Sequence, residues 1–131
     1  MAAARWVQQE ILERNPTLDV TVYAIWFRMY PTDRRSAWPG DILTDPRVVH
    51  RWDEGKVVGT WYARELDDIR PRVAPGATGL DGPVPVLWDA YLIYKPGATF
   101  RAHATALVRW GRTILNTRRT FRDEVAGLPR R

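Results

Sequence analysis

Few residues in this sequence belong to the types that perform nucleophilic or metal chemistry. The 131 residues contain no cysteine, which excludes thiolate catalysis, disulfides and Cys-based zinc sites within them. The two histidines, His50 and His103, stand far apart and form no His-x-x-x-His or His–Glu pair that suits a metal ion. Ser36, the sole serine, does not lie in a Gly-x-Ser-x-Gly elbow. We therefore expect no metal site, no cofactor and no thiol or serine-triad chemistry in these residues.

Two aspartates are candidates for acid–base or structural roles. Asp89 alternates with Leu87, Tyr91 and Ile93 along a predicted strand, so its carboxylate could face an apolar layer and act as a general acid or base. The alternative is a carboxylate at the mouth of the strand, bonded to backbone amides or an arginine. We favour this alternative because one carboxylate without a base, nucleophile or metal partner is no active site. Asp53 precedes a predicted helix, and we interpret it as the helix cap.

The positive charge is concentrated in the C-terminal part of the chain. The net charge is +5, and residues 101–131 hold eight arginines against two acidic residues. Guanidinium groups can neutralise phosphates, so a cluster of arginines is a candidate anion site. The candidate anion-binding residues are Arg112, Arg118, Arg119 and Arg122. We favour a solvated helix face instead, because Asp123 and Glu124 interrupt the run and no aromatic stacking residues are interleaved. Nucleic acid is therefore not an expected partner.

The first half of the chain predicts two helices and two strands. Apolar residues at helical spacing predict a helix over 2–14, which Asn15-Pro16 ends. The continuous apolar run over 22–27 is typical of an inner strand that is covered on both faces. Residues 28–46 contain three prolines and are interpreted as an insertion with a short helical turn near Ser36. The stretch "RVVHRW" predicts a second strand, and a helix is expected over 54–68.

The second half predicts a long loop, a hairpin and a final helix. Residues 70–85 are rich in proline and glycine and indicate the loop. The stretch "VLWDAYLIY" predicts a strand, "KPGA" a tight turn, and Thr99-Phe100 the start of a return strand that extends through "ALVRW". The last helix is expected over 114–126, with Phe121 and Val125 turned inward. This order of elements favours an α/β domain of two or three layers.

The order of elements, together with the stretch "VLWDAYLIYKPGATF", resembles the thioredoxin fold from its first helix onward. The likeness is greatest to uncharacterised bacterial thioredoxin-like proteins with a Val-x-x-Trp strand, an Asp-x-Arg loop and two Trp-Asp pairs. These motifs are matched, with one extra residue in the first, by Val22 to Trp26, Asp33-Arg34-Arg35, Trp52-Asp53 and Trp88-Asp89. The resemblance implies one α/β domain over 1–131 with a central mixed β-sheet flanked by helices. It also implies an abbreviated N-terminus, since the domain begins at helix one.

The family carries a strand and a Cys-x-x-Cys pair before the equivalent of this first helix, and a methionine often follows the second cysteine. Met1 takes the place of that methionine in the resemblance. Two hypotheses follow. Either the natural protein has a strand and a cysteine pair upstream and is a thiol–disulfide oxidoreductase, or the chain is a redox-silent remnant. The upstream reading frame distinguishes them.

The function that we expect of these residues is non-catalytic contact with another protein. The candidate binding face combines the start of the first helix with Trp88, Asp89, Arg28, Asp33 and Trp38. A strand without its expected neighbour exposes a pairing edge, so a second copy of the chain is also a candidate partner. No apolar run reaches the roughly 20 residues of a membrane helix, and Met1 to Leu12 does not resemble a signal peptide. We therefore expect no membrane partner and a cytoplasmic location.

Overall fold

A computed structural model describes residues 1–37, 40–69, 86–99 and 107–131. The chain divides into two compact units. The first contains residues 1–57 and 125–131, and the second contains residues 58–124. Several sequence predictions lie outside the described residues: the loop over 70–85, Trp38, His103 and the return strand over 100–106.

The first unit begins with a helix in two parts. The segment α1 (Ala2–Trp6) continues directly into a π-helical stretch, Val7–Leu12, which buries Gln8, Ile11 and Leu12. The helix predicted over 2–14 is therefore confirmed and ends two residues early. The side-chain amide of Asn15 donates to the carbonyl oxygen of Ile11 at 2.8 Å. This bond satisfies a helix-terminal carbonyl just before the proline that stops the helix.

Two parallel strands form the sheet of the first unit. They are β1 (Val22–Trp26) and β2 (Val48–Trp52), paired from Val22 opposite Val48 to Trp26 opposite Trp52. A single 3₁₀ turn at Arg35–Ala37 lies in the connection, as predicted near Ser36. The side chains of β1 alternate between half-buried and exposed. The prediction that β1 is covered on both faces is therefore wrong.

The helix α2 (Val57–Ile69) begins at the last residue of the first unit. Asp53 accepts a hydrogen bond from the Val57 N–H through its carboxylate at 2.9 Å, so the predicted capping role is confirmed. The start at Val57, three residues later than expected, has a local cause. The Lys56 N–H bonds to the Asp53 carbonyl at 3.3 Å, and Lys56 has a left-handed φ of 55°, which does not fit a helix.

The second unit contains an antiparallel pair and most of the last helix. The strands are β3 (Ala90–Tyr94) and β4 (Leu107–Arg112), with Tyr91 opposite Gly111. The turn after β3 closes through the Ala98 N–H and the Lys95 carbonyl at 3.2 Å. Gly97 supplies the positive φ of 74° that this turn needs. The core of this unit is formed by Tyr62, Leu87 and Trp110.

The last helix, α3 (Arg118–Ala126), starts four residues later than predicted. Phe121 and Val125 are buried and Arg118, Arg119 and Arg122 are exposed, as the helical spacing indicated. The delay arises because the preceding residues form a turn, in which the Asn116 and Thr117 N–H groups bond to the Thr113 carbonyl.

The mixture of helices and short strands in the described residues agrees with the α/β class. The expected single central sheet is not formed there. The four described strands make two separate two-stranded sheets, one parallel and one antiparallel. Local patterning identifies a strand but not the distant segment that supplies its hydrogen bonds, so the single central sheet stays a prediction. Among the described residues, no helix has the length and apolar character to cross a membrane.

Candidate functional site

The outer face of the parallel pair is an exposed, largely apolar surface. On β1, Tyr23 is 64% exposed and Ile25 is 37% exposed. Their direct partners on β2 are Val49 and Arg51, and side chains at paired positions of neighbouring strands lie on the same face. Parallel strands in proteins are normally buried on both faces. We call these four residues the β1 face.

The outer edge of β1 has no paired strand among the described residues. The Val22 N–H bonds to the Arg47 carbonyl at 2.9 Å, and the Asp53 N–H bonds to the Trp26 carbonyl at 2.7 Å. In a parallel ladder alternate residues point their N–H and C=O groups at the partner strand. The backbone groups of positions 22, 24 and 26 therefore face β2, whereas those of Tyr23 and Ile25 point away. Within the described part of the chain, these outward groups of Tyr23 and Ile25 have no hydrogen-bond partner.

The inner face of the same sheet is fixed by a tryptophan and a histidine. The Trp26 indole N–H donates to His50 Nδ1 at 3.0 Å, and the two rings stack with centroids 6.1 Å apart. His50 Nε2 therefore carries the proton that bonds to the Leu43 carbonyl at 2.9 Å. Both ring nitrogens of His50 are engaged in these contacts, which orient the inner face of the pair.

Arg47 anchors the start of β2. Its guanidinium forms a bidentate pair with Asp45 at 2.8 and 2.7 Å, and both side chains are largely buried. The remaining N–H groups donate to the carbonyls of Leu12, Asn15 and Leu18 at 2.8 to 3.1 Å. The hydrogen bond to Arg47 lowers the pKa of the Asp45 carboxyl and raises the pKa of the guanidinium. Arg47 thereby joins the helix end to the sheet.

Gln8 makes a second link between the helix and the segment before β2. Its side-chain oxygen accepts the N–H groups of Thr44 and Asp45 at 3.0 and 3.2 Å, and its amide donates to Glu13 at 3.0 Å. Sequence reasoning identified neither Gln8 nor Arg47. The backbone partners of Gln8 lie 36 and 37 residues away and the carbonyl partners of Arg47 lie 29 to 35 residues away, and no local pattern marks them. The only available signal was a glutamine on the predicted inner face of an amphipathic helix.

Asp33, one of the predicted binding residues, holds the turn that follows β1. Its carboxylate accepts the N–H groups of Met29 and Tyr30 at 2.9 and 2.8 Å. These backbone hydrogen bonds lower the pKa of the Asp33 carboxyl. Tyr30 is 70% exposed on this turn, and Arg28 is also exposed. Asp33 therefore has a structural role in presenting the turn, whereas Arg28 and Tyr30 are accessible to a partner.

Trp88 and Asp89 belong to the second unit, whereas Arg28 and Asp33 belong to the first. Trp88 is 42% exposed. Asp89 has a left-handed φ of 51°, and its carbonyl accepts the Ile114 N–H at 3.1 Å. Because β3 begins only at Ala90, Asp89 is outside the strand, and the predicted strand over "VLWDAYLIY" is too long at its start. Asp89 therefore does not alternate with Tyr91 along a strand. The hypothesis that the Asp89 carboxylate acts as a general acid or base has no support from this geometry.

The antiparallel pair of the second unit is covered by side chains of its own unit. Tyr91 is 7% exposed and stacks on Phe121 with centroids 3.8 Å apart. Its hydroxyl donates to Glu124 at 2.7 Å. Burial raises the pKa of both Tyr91 and Glu124. Gly111 leaves room for the tyrosine ring, since a Cβ at that position would lie 2.4 Å from it.

The core of the second unit contains two further aromatic polar groups. The hydroxyls of Tyr62 and Tyr94 are hydrogen-bonded to each other, and burial raises the pKa of both. The Trp110 indole N–H is buried and has no hydrogen-bond partner among the described residues. These groups are enclosed by the core and do not form a surface that a partner can reach.

The predicted anion-binding arginines are partly described. Arg118, Arg119 and Arg122 are exposed along α3, and the Arg112 side chain lies outside the described set. Arg109 lies 3.9 Å from Glu124, which is a weak ion pair. Across the described residues, no group of three or more His, Asp or Glu side chains is placed to hold a metal ion. Anion binding by α3 stays a prediction.

Comparison with protein-family models, with curated proteins and with solved structures finds no match to this chain.

Proposed function

We propose that this chain is a protein-contact domain that binds a partner strand along the outer edge of β1. The observation that carries the proposal is the pair of outward-pointing backbone groups at Tyr23 and Ile25, next to exposed side chains of the same residues. An exposed sheet edge binds extended segments by adding a strand, with main-chain hydrogen bonds giving affinity and side-chain contacts giving selectivity.

The rest of the first unit supports this role because it holds β1 in place. Arg47 ties the sheet to the helix through the Leu12 carbonyl, and Trp26 and His50 fix the inner face. A strand whose position is set before binding loses less conformational freedom when a partner adds to it. The 131 residues contain no cysteine, so contact rather than thiol chemistry is the function that we propose for them.

The thioredoxin-like assignment is a separate proposal. The element order and the hairpin with its Lys95-Pro96-Gly97 turn support it, whereas the two separate sheets do not. Strand addition at β1 does not depend on that fold. The contact face predicted from the sequence, which includes Trp88 and Arg28, is the rival surface.

Photo-crosslinking separates the two surfaces. A benzophenone amino acid replaces Tyr23 in one variant and Tyr30 in another, since both tyrosines are well exposed in the first unit. Each variant is irradiated in a lysate of cells that express the chain. We expect a discrete adduct from position 23 that disappears when Ile25→Pro is added, because proline removes an outward N–H. An adduct from position 30 alone would contradict the proposal and favour the loop.

A further inference from the structure

We propose that the strand added at β1 comes from a second copy of this chain, with the two β1 strands antiparallel and Tyr23 of each copy opposite Ile25 of the other. This inference rests on the proposed function and specifies its partner. Residues 20–27, "VTVYAIWF", contain no charge, no glycine and no proline, and are rich in the β-branched and aromatic residues that favour strand pairing.

The backbone groups of β1 set the register of the pair. Only Tyr23 and Ile25 of β1 point both backbone groups outward. In an antiparallel pair, two residues whose N–H and C=O groups face each other exchange both hydrogen bonds. When two copies meet with Ala24 opposite Ala24, Tyr23 of each copy faces Ile25 of the other with all of these groups in bonding position. The open edge is therefore complementary to itself.

The exposed side chains of β1 also fit this register. Tyr23 and Ile25 lie on the same exposed face, so this register places an aromatic ring beside a β-branched side chain twice across the two-fold axis. Such cross-strand pairs are among the favourable ones in antiparallel sheets. The result is a four-stranded sheet in the order β2, β1, β1, β2. Closed two-fold symmetry also lets the β1 edges of the two copies satisfy each other.

The charges that flank β1 favour the antiparallel direction. The uncharged segment is bounded by Asp19 and Arg28. Asp19 is already paired with Arg131 of its own chain at 2.8 Å, and its N–H bonds to the Pro129 carbonyl at 3.0 Å. The antiparallel register keeps the two Arg28 side chains at opposite ends of the added pair, whereas a parallel arrangement would place them side by side, and like charges on neighbouring strands are destabilising. Charge therefore favours the antiparallel dimer.

The test of self-association is sedimentation of the intact chain over a range of concentrations. We expect a monomer–dimer equilibrium that Ile25→Val retains and Ile25→Pro weakens at least about tenfold, because each copy loses an edge hydrogen bond. The N–H of Ile25 points away from β2, so this proline does not break the β1–β2 ladder. An unchanged far-UV circular dichroism spectrum checks that point, and Tyr23→Lys serves as the second variant if the proline variant does not fold.

The register is tested with cysteines, for which a cysteine-free chain is well suited. Residues directly opposite each other in an antiparallel pair have Cα atoms about 5.5 Å apart, within disulfide range, whereas diagonal neighbours are too distant. A mixture of Tyr23→Cys and Ile25→Cys chains should therefore form mixed disulfide dimers at least about tenfold faster than Tyr23→Cys alone. Tyr30→Cys measures the collisional background. Equal rates for the mixture and for Tyr23→Cys alone would overturn the register.

The outcomes also separate this inference from the proposed function. A chain that stays monomeric at every concentration, while position 23 still crosslinks to a different protein, overturns the second copy as partner and leaves strand addition in place. A monomer that gives no adduct from position 23 overturns both. A dimer that is lost with Ile25→Pro and linked by the mixed disulfide supports both.

Discussion

The parallel pair β1–β2 and the antiparallel pair β3–β4 differ in how their faces are covered. The two leading strands have related sequences, "VYAIW" in β1 and "AYLIY" in β3, with tyrosine second and isoleucine fourth. Yet Tyr23 is largely exposed, whereas Tyr91 is buried against Phe121 and bonded to Glu124. The difference shows that the covering elements, rather than the strand sequence, decide whether a strand becomes core or contact surface.

The largest expected effect comes from truncating the two tyrosines in turn. Tyr91→Ala should lower the free energy of unfolding by about 3 to 5 kcal/mol, since it empties a packed site and leaves Glu124 without its donor. Tyr23→Ala should change the free energy of unfolding by less than about 0.5 kcal/mol when the protein is dilute enough to be monomeric. Urea unfolding followed by circular dichroism measures both. Equal losses would mean that β1 is as well covered as β3.

The next effect concerns the anchor of the parallel pair. Arg47→Ala should cost about 3 kcal/mol of stability, because it leaves Asp45 buried without its cation and removes one of the two donors from each of three carbonyls. Arg47→Lys should lose less, since it keeps the charge but not the planar fork. Arg51→Ala is the matched control, as this exposed arginine lies on β2 and, among the described residues, its side chain donates to the adjacent His50 carbonyl. A similar loss for Arg47→Ala and Arg51→Ala in urea unfolding would argue against the anchoring role.

The smallest effect is a difference in acid response between the two units. The pKa of Asp45 is lowered from 3.8 in the folded state, so its stabilisation is present above that value and is lost as the pH falls through the folded pKa. The pKa of Glu124 is raised from 4.5, so its charge is destabilising at neutral pH, and that penalty is relieved as the pH falls towards 4.5.

Urea unfolding of the wild type, Asp45→Asn and Glu124→Gln over about pH 3 to 7 measures these two contributions. The difference between wild type and Asp45→Asn should shrink below pH 3.8. The difference between wild type and Glu124→Gln should change in the window just above pH 4.5. Parallel pH profiles for all three proteins would contradict the assigned shifts.

Much of the local structure was predictable from the sequence because its signals are local. The first helix, the Asp53 cap, the 3₁₀ turn near Ser36 and the exposed arginines of α3 all follow from spacing or from short-range capping. The exposure of Tyr23 and Ile25 was not predictable. An apolar run has the same appearance whether both faces are covered or one is open, and only the pairing of distant segments decides it.

The candidate site was correspondingly harder to predict than the elements. Asp33 was selected for its place in a loop motif, but it holds a turn through two backbone amides. Asp89 was placed on a strand face, whereas its left-handed backbone puts it before the strand. The anchoring role of Arg47 was not predictable, because three of its partners are carbonyl oxygens of distant residues, which no side-chain pattern reveals.

Amide hydrogen exchange at single residues of β1 tests the central claim most directly. At low protein concentration the Tyr23 and Ile25 amides should exchange much faster than those of Val22 and Ala24, which face β2, because only the latter are hydrogen-bonded. As the concentration rises, exchange at Tyr23 and Ile25 should slow while Val22 and Ala24 change little. Four equally protected amides in the dilute protein would show that the outer edge of β1 is already covered and would contradict the account.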